Sequence, residues 1–274
     1  MSAARKPYDL TSARHDYPAW SGLPLRTITI CTHPRSGSTL LSEAMYFAGK
    51  LGCPIEYFHR GFRRDLSARW GTTTIQEQIR AAHRLRTDPG GTFAVKLFWH
   101  DVEEMAAALA PERFAELSGT SPDEVTPQAY REIAALIATA CPNPRFIHLQ
   151  RRDRVRLAVS GMTAMQTGLW RIIPEAGTQA QLGDAEYDFE RIQYYVALAT
   201  YCHVHWRNFF AAIGVEPFEV TYEALAADFK TVIASTLAWL GSKAPVPHAR
   251  TQRQSGVANE AFVLRFLRDR ASRR

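Results

Sequence analysis

The sequence has no apolar run of transmembrane length, and its first twenty residues contain no apolar signal core. It also has no internal repeat and no low-complexity tract. Its four cysteines form neither a CxxC pair nor a Cys/His cluster with zinc spacing, so we expect reduced thiols and no bound metal ion. From these absences we predict a cytoplasmic protein without integral membrane association.

The composition is that of a globular protein with an excess of positive charge. The chain has 274 residues, of which 46% are hydrophobic and 22% are charged, and this is enough for a substantial core. The formal net charge of +6 suits an anionic ligand, a nucleic acid or an acidic surface, and by itself does not choose between them. We predict an N-terminal arm at residues 1–22 and a single domain at residues 23–274, with residues 243–274 at its periphery.

Extended and helical segments alternate along the chain. Strands are predicted at residues 26–32, 55–59, 92–99, 145–150 and 218–222. Helices are predicted at residues 38–50, 124–140, 154–166, 188–214 and 223–241, and a mobile loop at residues 171–187. This alternation is typical of an α/β protein in which helices cover both faces of a mainly parallel sheet.

A cluster of small, hydroxylated and basic residues stands where the first strand meets the first helix, in the segment "ICTHPRSGSTLLSEAM". The N-terminus of a helix has unpaired N–H groups and a positive dipole end, so it suits a phosphate or sulfate group. Gly37 lets the backbone approach an anion closely, and Arg35 adds a fixed charge. Further hydroxyl donors are Ser36, Ser38 and Thr39. We interpret residues 35–39 as an anion-binding loop; the alternative is an ordinary polar loop in which Ser38 caps the helix.

The loop differs from the phosphate-binding loop of nucleotide triphosphatases, which has the pattern GxxxxGK[ST]. When Gly37 is aligned with the second glycine of that pattern, Thr32 takes the place of the first glycine and Ser38 that of the lysine. No acidic residue at a strand end offers itself as a magnesium ligand. The sequence therefore disfavours a kinase or an ATPase.

Two segments together resemble the sulfotransferases that use 3′-phosphoadenosine 5′-phosphosulfate (PAPS). The segment "HPRSGSTLL" resembles their 5′-phosphosulfate loop, and "FIHLQRRDRVRLAVSGM" resembles their 3′-phosphate site, with Ser160 eight residues after Arg152. The segments "GCPIEYFH" and "RRDRVRLAVSGMTAMQTGLW" together narrow the resemblance to the branch of bacterial trehalose 2-sulfotransferases and lipopolysaccharide-sulfotransferase-like proteins. The match runs from about residue 27 to about residue 265, and it implies the P-loop-like fold of that family.

The resemblance implies a PAPS site that needs no metal ion. The backbone N–H groups of residues 36–39 would hold the phosphosulfate, with Arg35 against the leaving phosphate group. Arg152 and Ser160 would bind the 3′-phosphate. Arg253 in "RTQRQSG" lies where the family has a closing basic segment, although the run "RKG" of other family members is absent here. The alternative for "RRDRVR" is a solvated basic face.

An acceptor hydroxyl group needs a base that takes its proton. Glu56 matches the proposed general base of the trehalose-type branch; the alternative is a salt-bridged surface carboxylate. Many sulfotransferases instead use a histidine two residues after a lysine, but here Phe98 stands two residues after Lys96, and His100 follows two residues later. We therefore rank Glu56 above His100, with His59 third. Lys96 would either assist the bridging oxygen or pair with an acid.

The acceptor that the resemblance implies is a hydroxyl group of a carbohydrate or a glycolipid; an amine or hydroxyl group of a specialised metabolite would fit as well. The residues that would contact it are Glu56, Phe58, His59 and Trp99, with Tyr57 and Trp170 as further aromatic candidates. Sugars stack on aromatic rings, but each of these rings is also a candidate for core packing. Residues 60–90 and 171–187 are predicted to be loops that shape the acceptor pocket.

Two other classes of function compete with a sulfotransferase. A nucleic-acid-binding protein would explain the net charge, but no stacking aromatic residues are interleaved with "RRDRVR", so we predict no nucleic-acid partner. A nucleotide-binding protein without catalysis would keep the anion-binding loop, and Glu56 argues against it. Sulfotransferases of this kind are often homodimers, and the sequence leaves the oligomeric state open.

Overall fold

The fold is given by a computed structural model that describes residues 8–170, 185–250 and 257–273. Its strands are β1 (Arg26–Thr32), β2 (Thr92–Phe98), β3 (Pro144–Gln150) and β4 (Phe218–Thr221). They form one sheet in the order β2-β1-β3-β4, and each neighbouring pair is parallel. The predicted α/β architecture with a mainly parallel sheet is confirmed.

Helices connect and cover the strands. They are α1 (Ser38–Ala48), α2 (Arg60–Trp70), α3 (Ile75–Arg86), α4 (Trp99–Leu109), α5 (Pro111–Phe114), α6 (Pro127–Ala140), α7 (Arg154–Thr167), α8 (Phe189–Ile213), α9 (Tyr222–Ala227), α10 (Phe229–Trp239) and α11 (Val257–Ser272), with a 3₁₀ turn at Ala13–His15. The helix predicted at residues 223–241 is two helices, because Asp228 ends α9 and its carboxylate caps the start of α10.

The sheet separates two apolar cores, because successive side chains of a strand point to opposite faces. On β2, Val95 and Leu97 pack in a core formed with helices α3, α4, α6 and α8. Ala94, the residue before Val95, points to the other face and packs with Ile28 and Ile30 of β1 against α1 and α10. Strands that are apolar on both faces are typical of a parallel sheet with helices on each side.

The strand predicted at residues 55–59 is wrong. Only Ile55 pairs with the sheet, through a single parallel bridge to Val95 at the edge of β2. The chain then turns, and the side chains of Tyr57 and Phe58 are both completely buried. Two adjacent aromatic residues can be buried together at a turn, whereas a strand would place them on opposite faces of the sheet.

Residues 60–90 contain the helices α2 and α3, so the prediction of a loop there is also wrong. Helix α3 begins with a capping box in which Thr74 accepts from the backbone of Glu77 and the Glu77 side chain accepts from the backbone of Thr74. Strand β2 ends at Phe98, one residue earlier than predicted, because α4 follows without an intervening loop. No prediction covered α4.

Both ends of the described chain pack against the rest of the protein. Tyr8 and Leu10 are buried in the core beside α3 and α4. Helix α11 buries Val263 and Phe266 in a third apolar cluster with Met162 of α7. The division at residue 22 stays a prediction, and the loop predicted at residues 171–187 lies mostly outside the described residues. Within the described part of the chain, no helix is both long and apolar enough to cross a membrane.

Candidate active site

The carboxyl ends of the four parallel strands lie at one edge of the sheet, where ligands of open α/β sheets usually bind. β1 leads into residues 33–37, and β3 leads into residues 151–153. β2 and β4 pass directly into α4 and α9. This edge therefore brings both predicted anion motifs together with residues from β2 and β4.

The predicted anion-binding loop has the backbone of an anion site. Arg35 and Gly37 adopt positive φ angles of 68° and 83°, and α1 begins immediately afterwards at Ser38. Within the described residues, the N–H groups of residues 36–39 have no acceptor. The Ser36 hydroxyl is buried, and it too has no hydrogen-bond partner among the residues described. An oxyanion bound here would receive hydrogen bonds from donors that nothing else in the described structure occupies.

The two motifs meet through Arg35 and Ser160. The Arg35 guanidinium donates from Nε to the Ser160 hydroxyl at 3.0 Å, and from another nitrogen to the carbonyl oxygen of Trp170. Burial and the neighbouring charge of Arg151 lower the pKa of Arg35 to about 10, so it remains protonated at pH 7. Because the buried guanidinium of Arg35 lies near that of Arg151, this part of the structure favours an anionic ligand.

The arginines of "RRDRVR" have different contacts. Arg154 donates to the Ala199 carbonyl and so connects α7 to α8. Arg156 forms ion pairs of 2.5 Å with Asp153 and with Glu260, and the second of these connects α7 to α11. Arg152 is exposed, and its guanidinium makes no hydrogen bond or ion pair within the described structure. A basic face therefore explains part of this run, while Arg152 is the member that is available to a ligand.

The first two residues of α9, Tyr222 and Glu223, contact both motifs, and the sequence analysis missed both. The Tyr222 ring packs so closely on Gly37 that a Cβ atom there would lie 2.8 Å from it. The Arg151 guanidinium lies over the same ring, 4.3 Å from its centre. The Glu223 carboxylate accepts from the backbone N–H groups of Arg152 and Asp153, each at 3.1 Å.

Glu56 forms an ion pair with Lys96, with Oε1 2.6 Å from Nζ. Lys96 lies near the carboxyl end of β2, and its side chain is only 4% exposed, whereas that of Glu56 is 14% exposed. The second oxygen of Glu56 has no hydrogen-bond partner among the described residues. The arrangement combines the two alternatives for Glu56, because its carboxylate is salt-bridged and still has an oxygen to accept a proton.

His100 has contacts at both of its ring nitrogens. Nδ1 lies 3.2 Å from the buried carboxylate of Glu103, and Nε2 lies 3.6 Å from the Cys202 thiol. Burial raises the pKa of Cys202, so it remains a thiol, and Tyr201 also donates to Glu103. Glu103 stands one helical turn after His100, but the sequence analysis did not single it out. To take a proton from the hydroxyl group of the substrate, either ring nitrogen of His100 would have to give up its present contact.

His59 and the aromatic candidates mostly have structural contacts. His59 caps α2 by accepting from the Gly61 N–H group, and burial lowers its pKa, so it is neutral at pH 7. Phe58 and Trp99 have no exposed surface, and Trp99 is stacked on His205. The predicted stacking of a sugar on these two rings is therefore wrong: they are core residues. Trp170 is 49% exposed.

His33 lies two residues before the anion-binding loop, and the sequence analysis did not single it out as a site residue. It lines a small cavity beside Ser36, between the ends of β1 and β3 and the helices α7 and α8. Burial lowers the pKa of His33 to about 3, so its imidazole is neutral at pH 7. Arg253, by contrast, lies outside the described residues.

Comparison with known proteins agrees with the two motifs. The chain is 27% identical to the trehalose 2-sulfotransferase of Mycobacterium tuberculosis in an alignment of 269 positions that covers 88% of this chain and 94% of that protein. It is 26% identical to the trehalose 2-sulfotransferase of Mycolicibacterium smegmatis over 263 residues, covering 86% and 92% of the two chains. A solved sulfotransferase domain of the Synechococcus PCC 7002 olefin synthase aligns with 17% identity and a TM-score of 0.36, over 88% of this chain and 81% of that one. Residues 27–269 match the model of the Stf0 sulphotransferase family, and the chain belongs to that family.

Proposed function

We propose that this protein transfers a sulfuryl group from PAPS to a hydroxyl group of a carbohydrate, with Glu56 as the general base. The observation that carries the proposal is the contact between Arg35 and Ser160. It joins the loop assigned to the 5′-phosphosulfate to the helix assigned to the 3′-phosphate, at the carboxyl edge of the sheet. A ligand with one anionic group at each end matches this arrangement of donors.

The residues present fit the donor. The unoccupied N–H groups of residues 36–39 and the Ser36 hydroxyl would bind the phosphosulfate, and Arg35 would stabilise the charge that gathers on the leaving phosphate oxygen. The exposed guanidinium of Arg152 would bind the 3′-phosphate. Ser160 would hold Arg35 in place and donate to the same ligand.

The transfer breaks the bond between sulfur and the donor phosphate oxygen and forms a bond between sulfur and the acceptor oxygen. The proton of the acceptor hydroxyl passes to Glu56, whose second oxygen is available for it. Lys96 fixes the position of that carboxylate. Because the reacting groups carry most of the chemistry, the protein acts mainly by positioning and by stabilising charge, as in phosphoryl transfer.

The acceptor class follows from the relatives, which are named as trehalose 2-sulfotransferases. The test is a set of separate reactions, each with the protein, isotope-labelled PAPS and one acceptor. The acceptors are trehalose, glucose and a trehalose glycolipid, and sulfated product is detected by mass spectrometry. We expect labelled sulfate on at least one sugar. If PAPS binds and no sugar is sulfated while an amine-bearing or phenolic acceptor is, the carbohydrate part of the proposal is wrong. If PAPS binds and no sulfated product forms with any class of acceptor, the protein is a nucleotide-binding protein without transfer activity.

A further inference from the structure

The start of α9 contacts both anion motifs through Tyr222 and Glu223, although neither residue belongs to them. Tyr222 lies between Gly37 of the first motif and Arg151 of the second. The next residue, Glu223, binds the backbone where the second motif begins. The motifs also contact each other directly, through Arg35 with Ser160 and with Arg151, so the third segment adds its contacts to that junction.

Glu223 occupies amides that would otherwise attract an anion. The N–H groups of Arg152 and Asp153 stand at the start of α7, and both donate to the Glu223 carboxylate. The N–H group of Arg156 is likewise bound by the Asp153 carboxylate, which leaves the N–H groups of Arg154 and Val155 as the backbone donors of this turn without an acceptor among the described residues. A phosphate near this turn would meet those two N–H groups and the Arg152 guanidinium, which is unoccupied within the described structure.

We propose that Tyr222 and Glu223 are positioning residues of the donor site, and that they determine its preference for a nucleotide with both a 5′ and a 3′ phosphate group. Glu223 binds the backbone N–H group of Arg152. It therefore fixes the position from which the Arg152 guanidinium reaches the ligand. The Tyr222 ring packs against both Gly37 and Arg151 and supports the junction of the two motifs. The inference rests on the proposed function, because it assumes a donor with two phosphate positions.

Removing Glu223 has two effects of opposite sign. The loss of a negative charge favours any anion nearby, whereas the loss of the anchor leaves the Arg152 turn without its acceptor. The charge effect is long-range and is weakened by salt, whereas the anchor acts through two direct hydrogen bonds. The positioning role therefore requires a net loss of affinity that is confined to the 3′-phosphate.

The test is calorimetric titration of the full chain with adenosine 3′,5′-bisphosphate and with adenosine 5′-monophosphate at fixed ionic strength. For Glu223→Ala we expect about a tenfold loss for the bisphosphate, comparable to one hydrogen bond to a charged group, and less than about a twofold loss for the monophosphate. Glu223→Gln keeps one acceptor oxygen and should lie between Glu223→Ala and the wild type. Glu216→Gln, an exposed charge before β4, removes the same charge without this contact and should leave both affinities unchanged.

Tyr222 supplies an independent test. Tyr222→Leu removes the ring that contacts both Gly37 and Arg151, so it should weaken the binding of both nucleotides, and Tyr222→Phe should keep the wild-type affinities because the ring is the part that makes the contact. A bisphosphate that binds Glu223→Ala more tightly, or equal losses for the two nucleotides, would overturn the inference and leave the proposed function intact. If the wild type does not bind the bisphosphate at all, the proposed function falls and the inference with it.

Discussion

Glu56 and His100 differ in what their polar atoms already bind. One oxygen of Glu56 contacts Lys96, and the other has no partner among the described residues. Both nitrogens of His100 have partners, Glu103 and Cys202. A general base needs a lone pair that the substrate can reach, so the contacts favour the carboxylate. Glu103 lies where a carboxylate would orient the His100 ring, so His100 stays the second candidate for the base.

Glu56→Gln keeps the shape of the side chain but does not accept a proton at neutral pH. General base catalysis is worth about 10²–10⁴-fold, so turnover should fall by a factor in that range. The affinity for the donor should be unchanged, because other residues bind the phosphate groups. Steady-state kinetics with the identified sugar acceptor and titration with adenosine 3′,5′-bisphosphate measure the two quantities.

His100→Asn is the matched comparison, and it should reduce turnover much less than Glu56→Gln does. The reverse ranking, an inactive His100→Asn and a nearly active Glu56→Gln, would assign the base to His100 and leave the sulfotransferase activity in place. Weak effects of both substitutions with an amine acceptor would have another meaning: a neutral amine can attack before it loses its proton.

Arg35 is the charged group of the anion-binding loop, and it touches both motifs. Arg35→Ala should weaken the donor by about 1.5–3 kcal/mol, the size of a hydrogen bond to a charged group, and should lower turnover as well. Titration with adenosine 3′,5′-bisphosphate and initial rates at saturating acceptor test the two effects. Unchanged affinity together with unchanged turnover would show that residues 35–39 do not bind the phosphosulfate.

At the scale of elements, α7 carries the second motif on its first two turns. Arg152 precedes the helix and Ser160 lies on the side that faces Arg35. Arg152→Ala should therefore weaken adenosine 3′,5′-bisphosphate and barely affect adenosine 5′-monophosphate, which lacks the 3′-phosphate. Ser160→Ala also removes the partner of Arg35, so it should weaken both ligands, and the bisphosphate more.

Calorimetry with the two nucleotides measures these losses, and Arg64→Ala, an exposed arginine on α2, is the control for the lost charge. Equal losses for both nucleotides in Arg152→Ala would mean that this guanidinium does not recognise the 3′-phosphate.

The elements that the sequence predicted correctly are those with a strong local pattern. β1 is rich in β-branched residues, and α8 has a long helical periodicity. The segment at residues 55–59 has the composition of a strand, yet only Ile55 pairs, because a turn buries its aromatic residues against the core. Helix α2 is strongly polar, with only Leu66 buried, so it lacks the apolar pattern that would have predicted it.

The candidate site divides in the same way. Arg35 and Ser160 stand in short motifs that chemistry ties to an anion, and the structure brings them into contact. Tyr222, Glu223 and Glu103 have no motif, because their roles come from contacts between segments that are distant in sequence. Trp99 shows the opposite error: an aromatic residue next to the site is as easily a core residue, and here it is completely buried.

For the whole molecule, the donor would contact segments that begin at both β1 and β3, the two central strands of the sheet. A ligand that binds the folded protein and not the unfolded chain stabilises it by an amount that depends on its concentration relative to Kd. At 100 times Kd the gain is about 2.7 kcal/mol. Because about 1 kcal/mol raises Tm by about 2–4 °C in a protein of roughly this size, the gain amounts to a shift of about 5 °C or more.

We therefore expect adenosine 3′,5′-bisphosphate to raise the melting temperature of the wild-type protein by several degrees in a thermal unfolding experiment. The same concentration of adenosine 5′-monophosphate should give a smaller shift, because it leaves Arg152 without a phosphate partner. Arg35→Ala should reduce the shift for both nucleotides, since the loop that it belongs to serves the 5′ group of each. A bisphosphate shift no larger than that of the monophosphate, or one that Arg35→Ala leaves undiminished, would contradict binding across both motifs. In that case the net charge of +6 would attract the nucleotide without the two-motif site, and the shift would disappear as the salt concentration rises.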